Sequence, residues 1–362
     1  MTNSSTNVKG ADSGSTPMTD NGSHRYPWKW NLGDLKPPSE DAPTVFSTFA
    51  CGGGSSMGYK RAGFRVVGNC EIDPKIAAVY KENLHPEMSY VMDIREFNTL
   101  DDLPETLYNL DVLDGSPPCS TFSHVGIRDR AWGIKKKFAE GQKEQRLDDL
   151  FFTFLDTVEK LNPKVFVAEN VMGLVHGKAR GYVREIIQHA REIGYEIQIF
   201  KLNAAFMGVP QVRERVFFIG NRMGYDKLKL DFNEAPVPFG EVRSPSSDLA
   251  PCKSHAALIS KWRPGDRDLG DISQRIDGKD SCFGTRINYD GQPVSTITAS
   301  ERDIRFCDRM YMTDADITNS SSFPQDYDFC GRSVPFICGM SVPPSMMANV
   351  AHEIKAQWLD KE

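Results

Sequence analysis

The chain has 362 residues, 40% of them hydrophobic and 25% charged, which is the composition of a water-soluble globular protein with one large domain and room for a second. Its net charge of −6 excludes a globally basic nucleic-acid binder, so any polyanion footprint must be local. No apolar stretch reaches the ~20 residues of a membrane helix, the N-terminus lacks a signal-peptide layout, and the eight cysteines contain no Cys-x-x-Cys pair. A cytoplasmic protein with reduced thiols, no structural zinc and no membrane contact is therefore expected.

Residues from Met1 to about His24 are Ser, Thr, Asn and Gly with few large apolar side chains, the composition of a disordered tail. A proline- and acid-bearing lead-in runs to Pro43, so residues 1–40 are set aside as tail and lead-in. From Thr44 apolar strands alternate with amphipathic helices: strand Thr44–Phe49, helix Met57–Ala62, strand Phe64–Glu71, helix Lys75–Leu84, a short run at Tyr90–Val91 and strand Leu110–Asp114. Helix Leu147–Leu161, strand Val165–Glu169, helix Tyr182–Ile193 and strand Arg215–Gly220 come next. Such alternation predicts an α/β fold, a mainly parallel sheet with helices on both faces, over residues 41–222. From about Met223 the texture turns to Pro, Gly, Asp and Ser with short apolar runs, predicting a smaller loop-rich domain over 223–322. The segment 323–362 returns to the first domain, with a helix at Ser345–Leu359 that repeats Met346, Met347, Val350, Ile354 and Trp358 at helical spacing.

Five elements of this pattern carry chemistry. The first strand enters Phe49-Ala50-Cys51-Gly52-Gly53-Gly54, where glycines let backbone approach a ligand at a helix N-terminus. The second strand ends in Glu71, a position that grips ribose hydroxyls in nucleotide-binding α/β folds, and Asp93 after the third run suits an adenine amine. With no Gly-x-Gly-x-x-Gly and no Lys-Ser/Thr after the glycines, a triphosphate is disfavoured, while a nicotinamide cofactor, S-adenosylmethionine and a plain structural turn stay open. Next, Gly115-Ser116-Pro117-Pro118-Cys119-Ser120 places a cysteine on a proline-stiffened loop just past a buried strand, where a nucleophile is as natural as a packing thiol. The strand Val165–Ala168 delivers Glu169-Asn170-Val171 at its C-terminal end, so Cys119 and Glu169 can face one cleft. Finally, Gln211-Val212-Arg213-Glu214-Arg215 sets two arginines on one side of an extended segment, either as a solvated face or with Arg213 paired to Glu169.

In that order, these elements resemble the DNA cytosine-5 methyltransferase family over nearly the whole chain, from Val45 to about Ile354. Pro293-Val294-Ser295-Thr296-Ile297-Thr298-Ala299 closes the variable region as family members do. Phe323-Pro324-Gln325-Asp326-Tyr327 and Gly339-Met340-Ser341-Val342-Pro343-Pro344 resemble the last two motifs. The resemblance implies a Rossmann-like S-adenosylmethionine-dependent sheet, with Phe49, Gly52, Gly53, Gly54, Glu71, Ile72, Asp93, Ile94, Pro117, Ser341 and Val342 around the cofactor. It makes Cys119 the nucleophile, Glu169 its partner carboxylate, and Arg213 and Arg215 the groups that address the cytosine carbonyl or brace the loop. The chain departs from the family pattern at Cys51 (a usual Gly), Ser47 (a usual Asp), Met340 (a common Asn) and Asp316 (a usual Glu).

The implied chemistry is a thiolate attack at carbon 6 that makes carbon 5 nucleophilic, with Glu169 relieving charge at the ring, on a base flipped out of double-stranded DNA. The segment His124–Arg146 holds seven cations against three acids, a local surplus of four that suits phosphate contact by Arg128 and Arg130. Ser123 resembles a family phosphate contact. Readout of a short sequence falls to the small domain, where Lys253, Lys261, Trp262, Arg263, Arg267, Arg275, Lys279 and Arg286 are available. The expectation is a monomeric, cytoplasmic and nucleoid-associated enzyme of a bacterium or phage-infected cell. Its rivals are a tRNA cytosine-5 methyltransferase of the same family and a non-catalytic DNA-binding scaffold.

Overall fold

A computed structural model describes residues 24–118, 150–175, 180–279, 281–282, 284–300 and 302–360. The sequence-expected tail up to Ser23 and the loop from Cys119 to Asp149 lie outside these residues.

Strands β1 (Thr44–Thr48), β2 (Arg65–Glu71), β3 (Met88–Val91), β4 (Val112–Gly115), β5 (Val165–Val171), β6 (Glu196–Asn203) and β7 (Glu214–Asn221) form one sheet in the order β3-β2-β1-β4-β5-β7-β6. All neighbours from β3 to β5 run parallel, whereas β7 runs antiparallel to both β5 and β6. β6, an edge strand, escapes a reading of the sequence. Its side chains are mostly half-buried, so Glu196–Asn203 offers neither a clean alternation nor a solid apolar run.

The strands are apolar on both faces because both are covered. On one face Phe46, Leu113, Phe166 and Phe218 pack against α3 (Ile94–Phe97), α5 (Leu150–Leu161) and α6 (Arg180–Glu192). On the other, Val45, Val112, Val165, Val167 and Phe217 meet α1 (Gly54–Arg61) and α12 (Pro344–Ile354). Between these fall α2 (Pro74–Leu84), capped by Asp73 accepting from the Lys75 and Ile76 amides, and the short α4 (Glu105–Tyr108). Beyond the sheet come α7 (Phe239–Val242), α8 (Lys253–Ile259), α9 (Leu269–Asp277), α10 (Asp314–Ser320) and α11 (Val334–Met340).

The lead-in is part of the fold from His24 onward. Trp28 and Trp30 are buried with α2 and the segment 312–338, Arg61 stacks over the Tyr26 and Trp30 rings, and Trp30 Nε1 donates to the Ser322 carbonyl. Two aromatic anchors offset the ordering entropy that a proline-rich segment otherwise leaves uncompensated.

The sequence between the sheet and α10 carries its own small core of Ile259, Leu269, Ile272, Ile287 and Ile304, with the two-residue strands β8 (Ile287–Asn288) and β9 (Ile304–Arg305). Trp262 belongs to this core. Its indole donates to the Tyr289 hydroxyl at 2.8 Å and packs on Phe306, so it supports the region. A fully buried pair, Arg305 with Asp316 at 3.1 Å, ties β9 to α10, and Asp316 also accepts from the Ser244 and Thr313 amides. Asp316 keeps the carboxylate of the residue it replaces in the family pattern, and both of its oxygens are used.

Candidate active site

The C-terminal ends of β1, β4 and β5 bring the predicted elements to one edge of the sheet. Ser47 pairs with Asp114 and Asp114 with Val167, so Glu169, two residues on, lies on the same face as Ser47 and Asp114. Glu169 is 8% exposed and its Oε1 lies 2.8 Å from Arg215 Nε. Arg215, and not the Arg213 that the sequence left open as a partner, thus pairs with Glu169. The two strands that carry Glu169 and Arg215 are adjacent and antiparallel, and Arg215 sits opposite Val171 at the strand end.

Arg213 does different work. It is 2% exposed, and its guanidinium donates to the carbonyls of Ile297, Gly339 and Ser341. Burial, with Arg215 nearby, brings its pKa down to about 9. One side chain thus fastens the β7 entrance to the Ile297 segment of the small region and to the C-terminal end of α11. Gln211 joins in, accepting from the Ile297 amide and donating to the Ser320 carbonyl.

The loop after β4 is held from β5. Asn170 Nδ2 donates to the Pro117 carbonyl at 3.0 Å, while its Oδ1 accepts from the Val171 amide. Pro117 is buried and lies two residues before Cys119. Along the sequence Asn170 is merely the middle of a motif; an amide directly after the functional Glu169 is the signal that could have found it. Cys119, Ser123, Arg128 and Arg130 lie outside the described residues.

The loop after β1 is bent by three departures from ordinary backbone, with φ of 52° at Phe49, 45° at Cys51 and 81° at Gly53. Its glycines are demanded by packing. A Cβ on Gly53 would meet Leu84 at 2.3 Å, and one on Gly54 would meet the Val342 carbonyl at 2.1 Å. On the side that a Cβ would occupy, the space is in each case taken by protein. Gly52 likewise faces Ile337, and its carbonyl accepts from the Tyr327 hydroxyl. Ser341 and Val342 are both buried against this loop, whereas Met340 is 52% exposed.

Glu71, 9% exposed, accepts from the Cys51 amide at 2.8 Å and from the Asp73 amide at 3.0 Å. Burial raises its pKa, and the backbone donors oppose that. Asp93 caps α3, and partly exposed Ile72 and Phe49 lie near these acids in sequence and sheet order, while the Ile94 side chain is in the core. Two acids at the ends of β2 and β3, a partly exposed aliphatic and an aromatic fit a nucleoside whose diol and amine need acceptors and whose base needs apolar walls. The Ile72 amide also bonds the carboxylate, so backbone donors take three of its four lone pairs.

In the small region Arg263, Arg267 and Arg286 are exposed, but Arg267 is engaged twice by Asp271 and Arg275 is held by Asp266. Among the described residues no cluster of three His, Cys, Asp or Glu side chains could hold a metal ion. No described helix is long and apolar enough to cross a membrane.

A parallel sheet with a final antiparallel strand, acids at the ends of β2 and β3 and a carboxylate on the strand that holds the Pro117 loop have the layout of an α/β methyltransferase. The family model for C-5 cytosine-specific DNA methylases matches residues 44–262, more than half of the chain. The chain belongs to that family and is a DNA cytosine-5 methyltransferase. It is 33% identical over 262 residues to the type II methyltransferase M.FnuDI of Fusobacterium nucleatum, covering 72% of this chain and 67% of that one. With M.NgoFVII of Neisseria gonorrhoeae it shares 32% over 343 residues and 87% of each chain. Some matches are partial: that to M.DdeI of Desulfomicrobium norvegicum, 37% identical, takes in 49% of this chain and 40% of the other. Among solved structures, a prophage-encoded E. coli protein assigned as a DNA modification methyltransferase superposes with a TM-score of 0.63 at 19% identity, over 87% of this chain and 99% of that one.

Proposed function

We propose that this enzyme moves a methyl group from S-adenosylmethionine to carbon 5 of a cytosine flipped from a short site in double-stranded DNA, as the modification enzyme of a type II system or an orphan relative. The observation that carries the reading is the junction of β5 with the loop after β4: Glu169 paired to Arg215, and its neighbour Asn170 bonded to Pro117 two residues before Cys119.

S-Adenosylmethionine supplies an electrophilic methyl on a sulfonium. Glu71 binds the ribose hydroxyls, Asp93 the adenine amine, and Phe49 and Ile72 the ring faces; the buried Ser341 and Val342 shape the loop from behind. Cys119, as thiolate, adds to carbon 6 of cytosine, which renders carbon 5 an enamine carbon. Glu169 holds a proton at N3 as charge develops, and Arg215 keeps that carboxylate aimed at the ring. Arg213 acts at one remove, by fixing the segments that frame the cleft. Carbon 5 would take the methyl as the sulfonium leaves as a neutral thioether, and loss of the carbon 5 proton would then expel Cys119 and restore the ring. Flipping the base costs a few kcal/mol of stacking, offset by phosphate contacts from Ser123, Arg128 and Arg130. The small region, with Arg263 and Arg286 outward, reads the site, and the enzyme acts as a monomer in the cytoplasm at the nucleoid.

Methyl incorporation from labelled cofactor into duplex DNA and into tRNA tests the substrate, and bisulfite sequencing of DNA from cells expressing the chain names the base and its context. Labelling of tRNA alone would end the DNA reading. Glu71→Ala is expected to weaken cofactor binding by about tenfold to a hundredfold in calorimetry, the worth of one charged hydrogen-bond acceptor; unchanged affinity would remove Glu71 from the ribose.

A further inference from the structure

One buried carboxylate at the sheet edge takes no part in the chemistry of methyl transfer. Asp114 is 2% exposed at the end of β4, in a row of polar residues that register places side by side across four strands: Ser89, Asn69, Ser47 and Asp114. Partners in register share a face, so all four lie on the face that α1 covers. Polar side chains in the middle of a sheet that is otherwise apolar on both faces cost free energy unless they are bonded. A chain of hydroxyls bonds two of the four, Ser47 and Asp114. Tyr80 on α2 donates to Ser56 on α1 at 2.8 Å, Ser56 to Ser47 on β1 at 3.0 Å, and Ser47 to Asp114 Oδ2 at 3.2 Å, while Tyr59 on α1 donates to Asp114 Oδ1 at 3.4 Å.

The network joins the helix opened by the Gly52–Gly54 loop to the strand that becomes Gly115-Ser116-Pro117-Pro118-Cys119. The Thr48 hydroxyl adds a bond to the Asp114 carbonyl at 3.0 Å, doubling the tie between β1 and β4. In the family pattern an acid is usual where this chain has Ser47, and register sets Asp114 directly beside that position.

We propose that Asp114 is a positioning residue that locks the cofactor loop and its helix α1 to the nucleophile loop. The proposal rests on the methyltransferase reading above. Burial raises its pKa to about 7, with Ser47, Ser55 and Tyr59 opposing as donors and Glu169 on β5 adding to the rise. Tyr80 on α2 faces the same charge. A carboxylic acid with its folded pKa above the unfolded one contributes stability that is complete at low pH and is lost as pH rises toward the folded value. Asp114 thus weakens the fold at neutral pH, the mark of a group kept for the site and not for the scaffold.

Two readouts test it. Asp114→Ala is expected to weaken S-adenosylmethionine binding and to slow single-turnover methyl transfer by about tenfold or more each, with KM for DNA nearly unchanged, because displaced loops cost rate without touching the phosphate contacts. The double variant Ser47→Asp, Asp114→Ser, which puts the acid on β1, is expected to regain most of both. Asp114→Asn, close in shape, covers the case in which the alanine variant does not fold: its Tm advantage over the wild type should widen from about pH 4 to about pH 7 and then stay level. Wild-type cofactor affinity and wild-type single-turnover rate in Asp114→Ala would overturn the proposal, as would a Tm difference for Asp114→Asn that ignores pH. Failure of the wild type to methylate DNA speaks against the substrate reading instead, and the cofactor titration still decides the role of Asp114.

Discussion

Cys119→Ser is expected to lower methyl transfer by about 10⁴-fold or more, since removing a covalent nucleophile from a site that acts as a unit costs that order. Carbon 5 of cytosine has little nucleophilicity until carbon 6 carries an added group, and a serine hydroxyl, far from ionised at neutral pH, does not add. The position of Cys119 makes the loss specific. Pro117 is pinned through its carbonyl to Asn170, and the fixed φ of Pro118 limits the directions the chain can take into Cys119. Incorporation of labelled methyl into duplex DNA measures the rate. DNA bearing 5-fluorocytosine measures the adduct, as a mass increase that the wild type shows and the serine variant lacks. A serine variant that still forms the adduct would assign the nucleophile elsewhere.

Glu169→Gln is expected to cost about 10²- to 10⁴-fold in kcat, the range of a general acid or base. The amide oxygen of glutamine can still accept from Arg215 Nε, where Glu169 Oε1 now sits at 2.8 Å, so the fold should persist. What is lost is the proton at N3. Glu169→Ala is different in kind: it strands the largely buried Arg215 guanidinium, and breaking a buried ion pair in this way costs about 3–5 kcal/mol of stability. Comparing Tm and kcat for the two variants separates the roles, because a carboxylate that served only Arg215 would leave the glutamine variant active.

Much of this site can be read along the chain. Gly-Ser-Pro-Pro-Cys, Glu-Asn-Val and Gln-Val-Arg-Glu-Arg each adjoin an apolar strand, and strand ends are where an open α/β sheet collects its ligands. The alternation of strands and helices likewise announces the fold. Local pattern suffices for such features because each is written within one element. It fails where a residue's partner is distant. Whether Arg213 or Arg215 meets Glu169 depends on the antiparallel register of β7 on β5, and nothing in the two alternating arginines distinguishes them. The aromatic lead-in is hard to read for the same reason, since Trp28 and Trp30 are stabilised by contacts with α2 and the segment 312–338.

The glycines divide the two kinds of knowledge most clearly. From sequence alone comes the need for a residue without a side chain after β1, because Gly52–Gly54 opens a helix directly from a strand. What requires the absence is a tertiary matter: Leu84, Ile337 and the Val342 carbonyl fill the space, and they come from α2, from α11 and from just past α11. So it is with Asp114, which in sequence merely ends an apolar run. Register across four strands brings it beside Ser47, and helices α1 and α2 bring the hydroxyls that bond it. The amino-acid sequence by itself determined which chemistry is available and in what order. Tertiary packing decided which groups meet, because pairing across a sheet and burial beneath a helix arise between segments that the chain keeps far apart.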